Sequence, residues 1–410
     1  MGKEKQYTVL PEGGITTPKG FKAGGLHCGL KKTDRHDLGV IVCDVPAAAA
    51  AVYTTNLFQA APVKVTRDTL SEGGMLRAIV VNSGNANACT GDQGDADART
   101  MQANMAEALG ISKNQVAVAS TGVIGELLKM DRVNSGIAEL PSRVLGDAQG
   151  SDDFCQAILT TDLVKKVSCV TLTLDGQQVT IAGAAKGSGM IHPNMATMLG
   201  FVTTDAAIGT PLLQELLREV TNVSFNMITV DGDTSTNDML VAMASGLAGN
   251  RELTRNHPDY EAFVQGLRHV CTELAKAIAR DGEGATKLIE TTVVSAVSDE
   301  AAQAIAKTII GSSLVKSAVY GADANWGRII AAVGRAGQPV NVGTVDIRLG
   351  DIPVLEQSRP VPFDEEMALE YLKTGTIGIH VNLNMGSGTA TAWGCDLTYD
   401  YVRINAAYRT

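Results

Sequence analysis

The sequence predicts a mixed fold of helices and strands, α+β or layered α/β, in a two-lobed chain. Three observations lead there. Strand-like and helix-like segments are mixed through both halves of the 410 residues instead of segregating. At roughly 100–200 residues per domain, that length suits two or three domains or one large two-lobed unit. Apolar residues reach 45% and glycines number 43, while aromatics are only 4%, so small side chains and close backbone approaches fill the interior.

The elements follow in chain order. Met75 to Val81 (MLRAIVV) reads as a buried strand running into a Gly/Asn-rich loop from Asn82. That loop suggests a phosphate cradle, but it is read as a tight turn in the core of the first half. Ala98 to Leu109 is helical, with Met101, Met105 and Leu109 on one face and Gly110 past its end. Val116 to Ala119 is a short strand feeding Ser120-Thr121-Gly122. Val167 to Ala182 is a hairpin whose Asp175-Gly176 pair supplies a type I′ turn. Met198 to Thr204 is a further strand. Thr210 to Ser224 is a helix with Thr210 as N-cap and Pro211 at its first position, and Glu261 to Arg280 is a second long helix. Thr286 to Val297 is strand-like, and 301–310, 314–320 and 326–336 read helix, strand, helix. The last fifty residues read as a β meander. The Gly-rich stretch 183–189 is the best candidate for a boundary.

Composition narrows the function. The net charge of −10 gives no general attraction for phosphate backbones or anionic lipid, so nucleic-acid and membrane roles are disfavoured. No apolar run of about 18 residues suggests a membrane span, and no secretory signal opens the chain. The seven cysteines form no CxxC pair and read as reduced thiols of a cytoplasmic protein. Six histidines without HxxxH or CxxH spacing argue against zinc. Asp231, Asp233 and Asp238 lack the spaced Glu of a calcium loop, so capping and turn roles are expected of them, and no metal. GSG at 187–189 is followed by neither GK[ST] nor a complete GxGxxG.

The segment Lys186 to Leu199 (KGSGMIHPNMATML) is the most unusual. By composition alone Thr197 would be an ordinary residue opening a strand. The segment resembles the signature of the glutamate N-acetyltransferase / ornithine acetyltransferase family, which makes ornithine and N-acetylglutamate in the route to arginine. VNSGNANACTG (81–91), STGVIGELL (120–128), ILTTD (158–162), TVDGDTSTND (229–238), DGEGATKL (281–288), NWGRI (325–329) and LTYDYVRINAAYRT (397–410) are similar to further family blocks, in the family order. Leu163-Val164-Lys165-Lys166, Ala324 and Cys395 depart from the usual pattern.

The resemblance implies an N-terminal-nucleophile-like architecture that cuts itself between Ala196 and Thr197. Residues 1–196 become an alpha chain and 197–410 a beta chain that starts with the nucleophile Thr197. A threonine hydroxyl is a weak nucleophile, and a free α-amine, with a pKa of about 7.7–8.0, can serve as its base only after the cut. Thr121 and Gly122 are the implied oxyanion donors, although by themselves they read as a strand-to-helix turn with Ser120 or Thr121 as N-cap. Thr160, Lys186, Thr197, Glu283, Asn405 and Thr410 are the implied substrate contacts. Lys186 would meet a carboxylate and Glu283 an ammonium group, where each alone reads as a solvated loop residue. A motif-rich C-terminus suggests a tail tucked into the site.

The expected reaction is ping-pong: Thr197 takes acetyl from N2-acetylornithine and passes it to glutamate. No organic cofactor is expected, and some family members also accept acetyl-CoA. Assembly as a heterotetramer of two alpha and two beta chains is implied. The nearest rival is a self-processed N-terminal-threonine amidohydrolase or aminopeptidase that passes the acyl group to water. A non-catalytic amino-acid-binding protein and a dinucleotide-dependent oxidoreductase are weaker alternatives.

Overall fold

A computed structural model describes residues 5–192 and 198–406. The strands are β1 (Thr8–Val9), β2 (Phe21–Leu26), β3 (Leu38–Tyr53), β4 (Met75–Asn85), β5 (Val116–Val123), β6 (Lys166–Leu174), β7 (Gln177–Lys186), β8 (Leu199–Thr204), β9 (Ile228–Thr229), β10 (Met239–Ala244), β11 (Leu288–Ala296), β12 (Asp346–Leu349), β13 (Ile352–Glu356), β14 (Arg359–Pro360), β15 (Thr376–Asn382) and β16 (Gly388–Cys395). The helices are α1 (Ala61–Ser71), α2 (Gly91–Leu109), α3 (Met130–Glu139), α4 (Ala148–Ile158), α5 (Thr210–Asn222), α6 (Tyr260–Arg280), α7 (Asp299–Ile310), α8 (Ser313–Tyr320), α9 (Trp326–Gly334), α10 (Glu365–Leu372) and α11 (Tyr399–Ala406).

The chain forms two compact units. The first holds 1–187, 194–225 and 234–274; the second holds 188–193, 226–233 and 275–410. The first crossing therefore falls at Gly187, inside the Gly-rich stretch, but the chain crosses back repeatedly.

The first unit is built on a nine-stranded sheet in the order β1-β6-β7-β8-β10-β3-β4-β5, with β2 also paired to β3. β8 runs parallel to β10 and β4 parallel to β5, and the other pairs are antiparallel. Both faces are covered, as the unbroken apolar run of β4 requires. Ile79 and Val81 join a core with Phe154, Phe201 and Met243, while Ala78 and Val80 join another with Met101, Met105 and Ile137. The unit is thus a mixed, layered fold of helices on a mainly antiparallel sheet. The predicted hairpin turn is present, with φ of 50° at Asp175 and 74° at Gly176.

The second unit carries a seven-stranded sheet in the order β14-β13-β12-β15-β11-β16-β9. α7 packs on β11 and β16. Ser298 caps α7 by accepting from Ala301 N–H, and Asp299 and Glu300 fill its first turn, where the helix dipole favours them.

Four expectations change. Residues 314–320 are the helix α8, because Ser312 caps the segment by accepting from Val315 N–H, which outweighs the β-branched Val315 and Val319. The last fifty residues include the helices α10 and α11 beside β15 and β16. The N-cap of α5 is Gly209, and the Thr210 hydroxyl donates to Gly74 O at 2.9 Å. The strand β4 continues through Asn82 to Asn85 instead of ending at Val81. Among the described residues no helix is long and apolar enough to cross a membrane.

Candidate active site

Thr121 and Gly122 lie within β5, not in a turn after it. Ser83 and Gly84 of β4 stand opposite them, and a bulge follows at Asn85. Gly122 has a φ of 136°, outside the range of ordinary L-residues. A Cβ there would lie 2.3 Å from Gly84 C and 2.5 Å from Asn85 N, so the pairing itself demands glycine.

Asparagines brace this pair from behind. Asn82 Oδ1 accepts from Ser120 Oγ at 2.6 Å. Asn237 Nδ2 donates to Ala86 O at 2.5 Å and Ser120 O at 2.8 Å. Asn85 Nδ2 reaches Glu126 O at 3.0 Å. These side-chain amides are spent on the fold, and Asn82 to Asn85 lie in the strand β4 rather than in the tight turn expected from Asn82.

Lys186 ends β7 and is buried, not solvated. Its ammonium donates to Thr121 Oγ1 at 3.2 Å. With an oxygen lone pair taken by that cation, the Thr121 hydroxyl keeps its own proton to donate. Beside it, Asp162 accepts from Gly187 N–H at 2.6 Å, from Thr160 N–H at 3.0 Å and from Lys166 Nζ at 2.7 Å. The Asp162 and Lys166 side chains are fully buried. Burial alone would raise the Asp162 pKa, but the Lys186 and Lys166 charges hold the carboxyl well below the usual carboxylate range. Thr160, Asp162 and Lys186 thus form one charged cluster that fixes the ends of two site segments.

Asp162→Asn removes the carboxylate facing a fully buried ammonium. It should lower stability by about 3–5 kcal/mol, read from urea unfolding. The pH dependence has a definite sign. A depressed carboxyl pKa contributes stability above its unfolded value, and that stability is lost as pH falls through the lower folded value. The variant should lack this acid-sensitive contribution, and an unchanged acid profile would contradict the assignment.

Lys31 and Asp162 were not singled out from the sequence. Lys31 lies with its stem against Gly84, its Cγ 3.4 Å from where a Cβ would stand. Burial first, and then the Arg35 charge, bring its ammonium down to about 8. Asp162 was legible only as the last residue of ILTTD, and Lys31 carried no periodic or motif signal.

In the second unit, Glu283 is buried and follows α6. Its backbone N–H donates to Ser188 O at 2.9 Å. A Cβ on Gly189 would meet the Glu283 carboxyl at 2.4 Å, so this glycine admits the carboxylate. Asn405 Nδ2 donates to Glu283 Oε2 at 2.8 Å. The Thr398 hydroxyl donates to Gly284 O at 2.7 Å just before α11. The C-terminal helix is therefore pinned beside Glu283, although its Tyr399 and Val402 are exposed. Asp231 accepts from Met190 N–H at 2.7 Å and Ile191 N–H at 2.9 Å, a turn role as expected. Ala196, Thr197 and Thr410 lie outside the described residues.

Among the described residues, Asp175, His257 and Asp259 are close enough to share an ion. Arg251 already occupies the Asp175 carboxylate through Nη2 at 2.6 Å and backbone N–H at 3.0 Å, which opposes a cation there.

Comparison with known proteins adds the following. The ArgJ family matches residues 22–410. A relative from Geobacillus kaustophilus, named arginine biosynthesis bifunctional protein ArgJ, is 59% identical over 406 residues, covering 99% of this chain and 98% of its own. One from Bacillus subtilis with the same name is 56% identical over 402 residues, covering 98% of each chain. A solved structure of the arginine biosynthesis bifunctional protein from Bacillus halodurans is 60% identical with a TM-score of 0.51; all of that chain covers 52% of this one.

Proposed function

The chain belongs to the ArgJ family, and on that premise we propose that it is a self-cleaving acetyltransferase of arginine biosynthesis. It moves acetyl from N2-acetylornithine to glutamate through an ester on Thr197. The cut between Ala196 and Thr197 frees an α-amine that takes the hydroxyl proton during attack and returns it to the leaving amine. Ornithine leaves, glutamate enters, and the same amine serves the second half. The relatives' name, bifunctional, supports acetyl-CoA as a second donor. The cleaved enzyme assembles as two alpha and two beta chains.

The observation that carries the chemistry is the Lys186–Thr121 contact beside Gly122. A hydroxyl whose oxygen is held by a buried ammonium is a preorganised donor for a developing oxyanion. Thr160 and Lys186 receive the carboxylate end of the amino acid. Glu283, steadied by Asn405, receives an ammonium group, and Thr410 completes the contacts.

The test is to load the enzyme with N2-acetylornithine in the absence of glutamate. The fragment beginning at Thr197 should gain one acetyl group by mass, and glutamate should discharge it as N-acetylglutamate. Discharge to acetate at the same rate with or without glutamate would establish the rival amidohydrolase.

A further inference from the structure

A partly buried cation gains by meeting an anion. Lys31 is such a cation. Its loop joins β2 to β3 and folds around the buried Asp37. Asp37 Oδ1 accepts from Cys28 N–H at 2.7 Å, and Oδ2 accepts from Leu30 N–H at 2.8 Å and Lys31 N–H at 2.9 Å. Asp37 O accepts from Ser83 N–H at 2.8 Å, which locks the loop to β4 one residue before Gly84. The Lys31 stem then lies against Gly84, whose partner across the sheet is Gly122. From the same loop, Arg35 Nη2 donates to Thr160 O at 3.3 Å. The loop thus meets both the β4–β5 pair and the Thr160 segment.

The charges around Lys31 do not balance. Its ammonium donates to His36 O at 2.6 Å, and among the described residues no carboxylate forms an ion pair with it. Arg35 and Lys186 repel it, while Asp37 and Asp162 attract it from further away. Three cations therefore face two carboxylates. Both carboxylates are already engaged, Asp37 by backbone N–H groups and Asp162 by Gly187, Thr160 and Lys166. Burial, and then the Arg35 charge, disfavour the ammonium form, and an arriving anion offsets the second of these.

The two substrates share an α-carboxylate, which Thr160 and Lys186 receive in the reading above. Their side chains end differently, in an ammonium for N2-acetylornithine and in a second carboxylate for glutamate. A second cation beside Lys186 repels the first end and attracts the other. We propose that Lys31 binds the side-chain carboxylate of glutamate and so sets the acceptor specificity of the second half-reaction. This rests on the acetyl-transfer reading above.

The test compares glutamate with glutamine, which has the same shape without the charge, as acceptors for the wild type and Lys31→Met. Methionine keeps an apolar stem beside Gly84 and removes the ammonium. The kcat/KM for glutamate relative to glutamine should fall by about 10–100-fold, mainly through the KM for glutamate. Lys31→Arg should restore much of the preference. A merely structural role would give neither the KM effect nor the rescue by charge. An unchanged ratio, whether both acceptors keep their rates or lose them equally, overturns the proposal. A wild type that passes acetyl to neither amino acid overturns the acetyltransferase reading instead, and the proposal with it. Should Lys31→Met not fold, carbamylation of the wild type by cyanate decides, read by peptide mass analysis. N-acetylglutamate should slow labelling of Lys31 and N-acetylglutamine should not, and equal labelling with both overturns the proposal.

Discussion

Thr197→Ala should give one uncut chain and no acetyl transfer. Two functions are lost together because one hydroxyl serves both. In the proposed mechanism it attacks the Ala196 carbonyl in the intact chain, and the acetyl donor afterwards. Alanine also leaves nitrogen 197 locked in its amide, so the base is never made. Thr197→Ser should restore cutting, more slowly. The measurement is denaturing mass analysis beside an ornithine-release assay. Normal cutting of Thr197→Ala at the same bond would refute the mechanism.

Gly122→Ala should slow both cutting and transfer by about 10²–10³-fold or more, the usual loss for one oxyanion donor. The structural reason is specific. A methyl group at this position would stand 2.3 Å from Gly84 C and 2.5 Å from Asn85 N, and both are backbone atoms. No rotamer change can relieve that, so β4 and β5 must part where Thr121 is held. Gly125→Ala is the control. It shares a positive φ, 83°, but a Cβ there meets nothing within 4 Å. Its effect should be confined to the backbone preference, about 1–2 kcal/mol of stability, with little change in rate per folded molecule. Equal rate losses in the two variants would show that strain, rather than position, is responsible.

The fold was legible where local signals agreed. The hairpin at 166–186 was marked by its alternation and by Asp175-Gly176, and the strand at Met75 by its apolar run. Residues 314–320 failed because two valines outweighed the Ser312 cap in a segment short enough to be either element. Thr121 and Gly122 were found by motif but misread as a turn, because a strand that continues past a glycine depends on its neighbour, β4. Lys186 looked like a solvated lysine because its counter-charge, Asp162, is 24 residues away in sequence and joins it only through folding. Asp238 looked like one more aspartate of an acidic turn. Asp231 is one, but Asp238 opens a strand whose partner, β8, lies some forty residues earlier. Burial of single polar groups is set by such distant pairing, and no local pattern reports it.

The most direct test of the self-made nucleophile is denaturing intact-mass analysis of the purified, active protein, with N-terminal sequencing of each fragment. Dividing 42.8 kDa in proportion to the 196 and 214 residues on either side of the cut gives chains of about 20 and 22 kDa. The heavier should begin Thr-Met-Leu-Gly. A single chain of 42.8 kDa in a preparation that transfers acetyl would contradict it, because the base on which the mechanism depends would not exist.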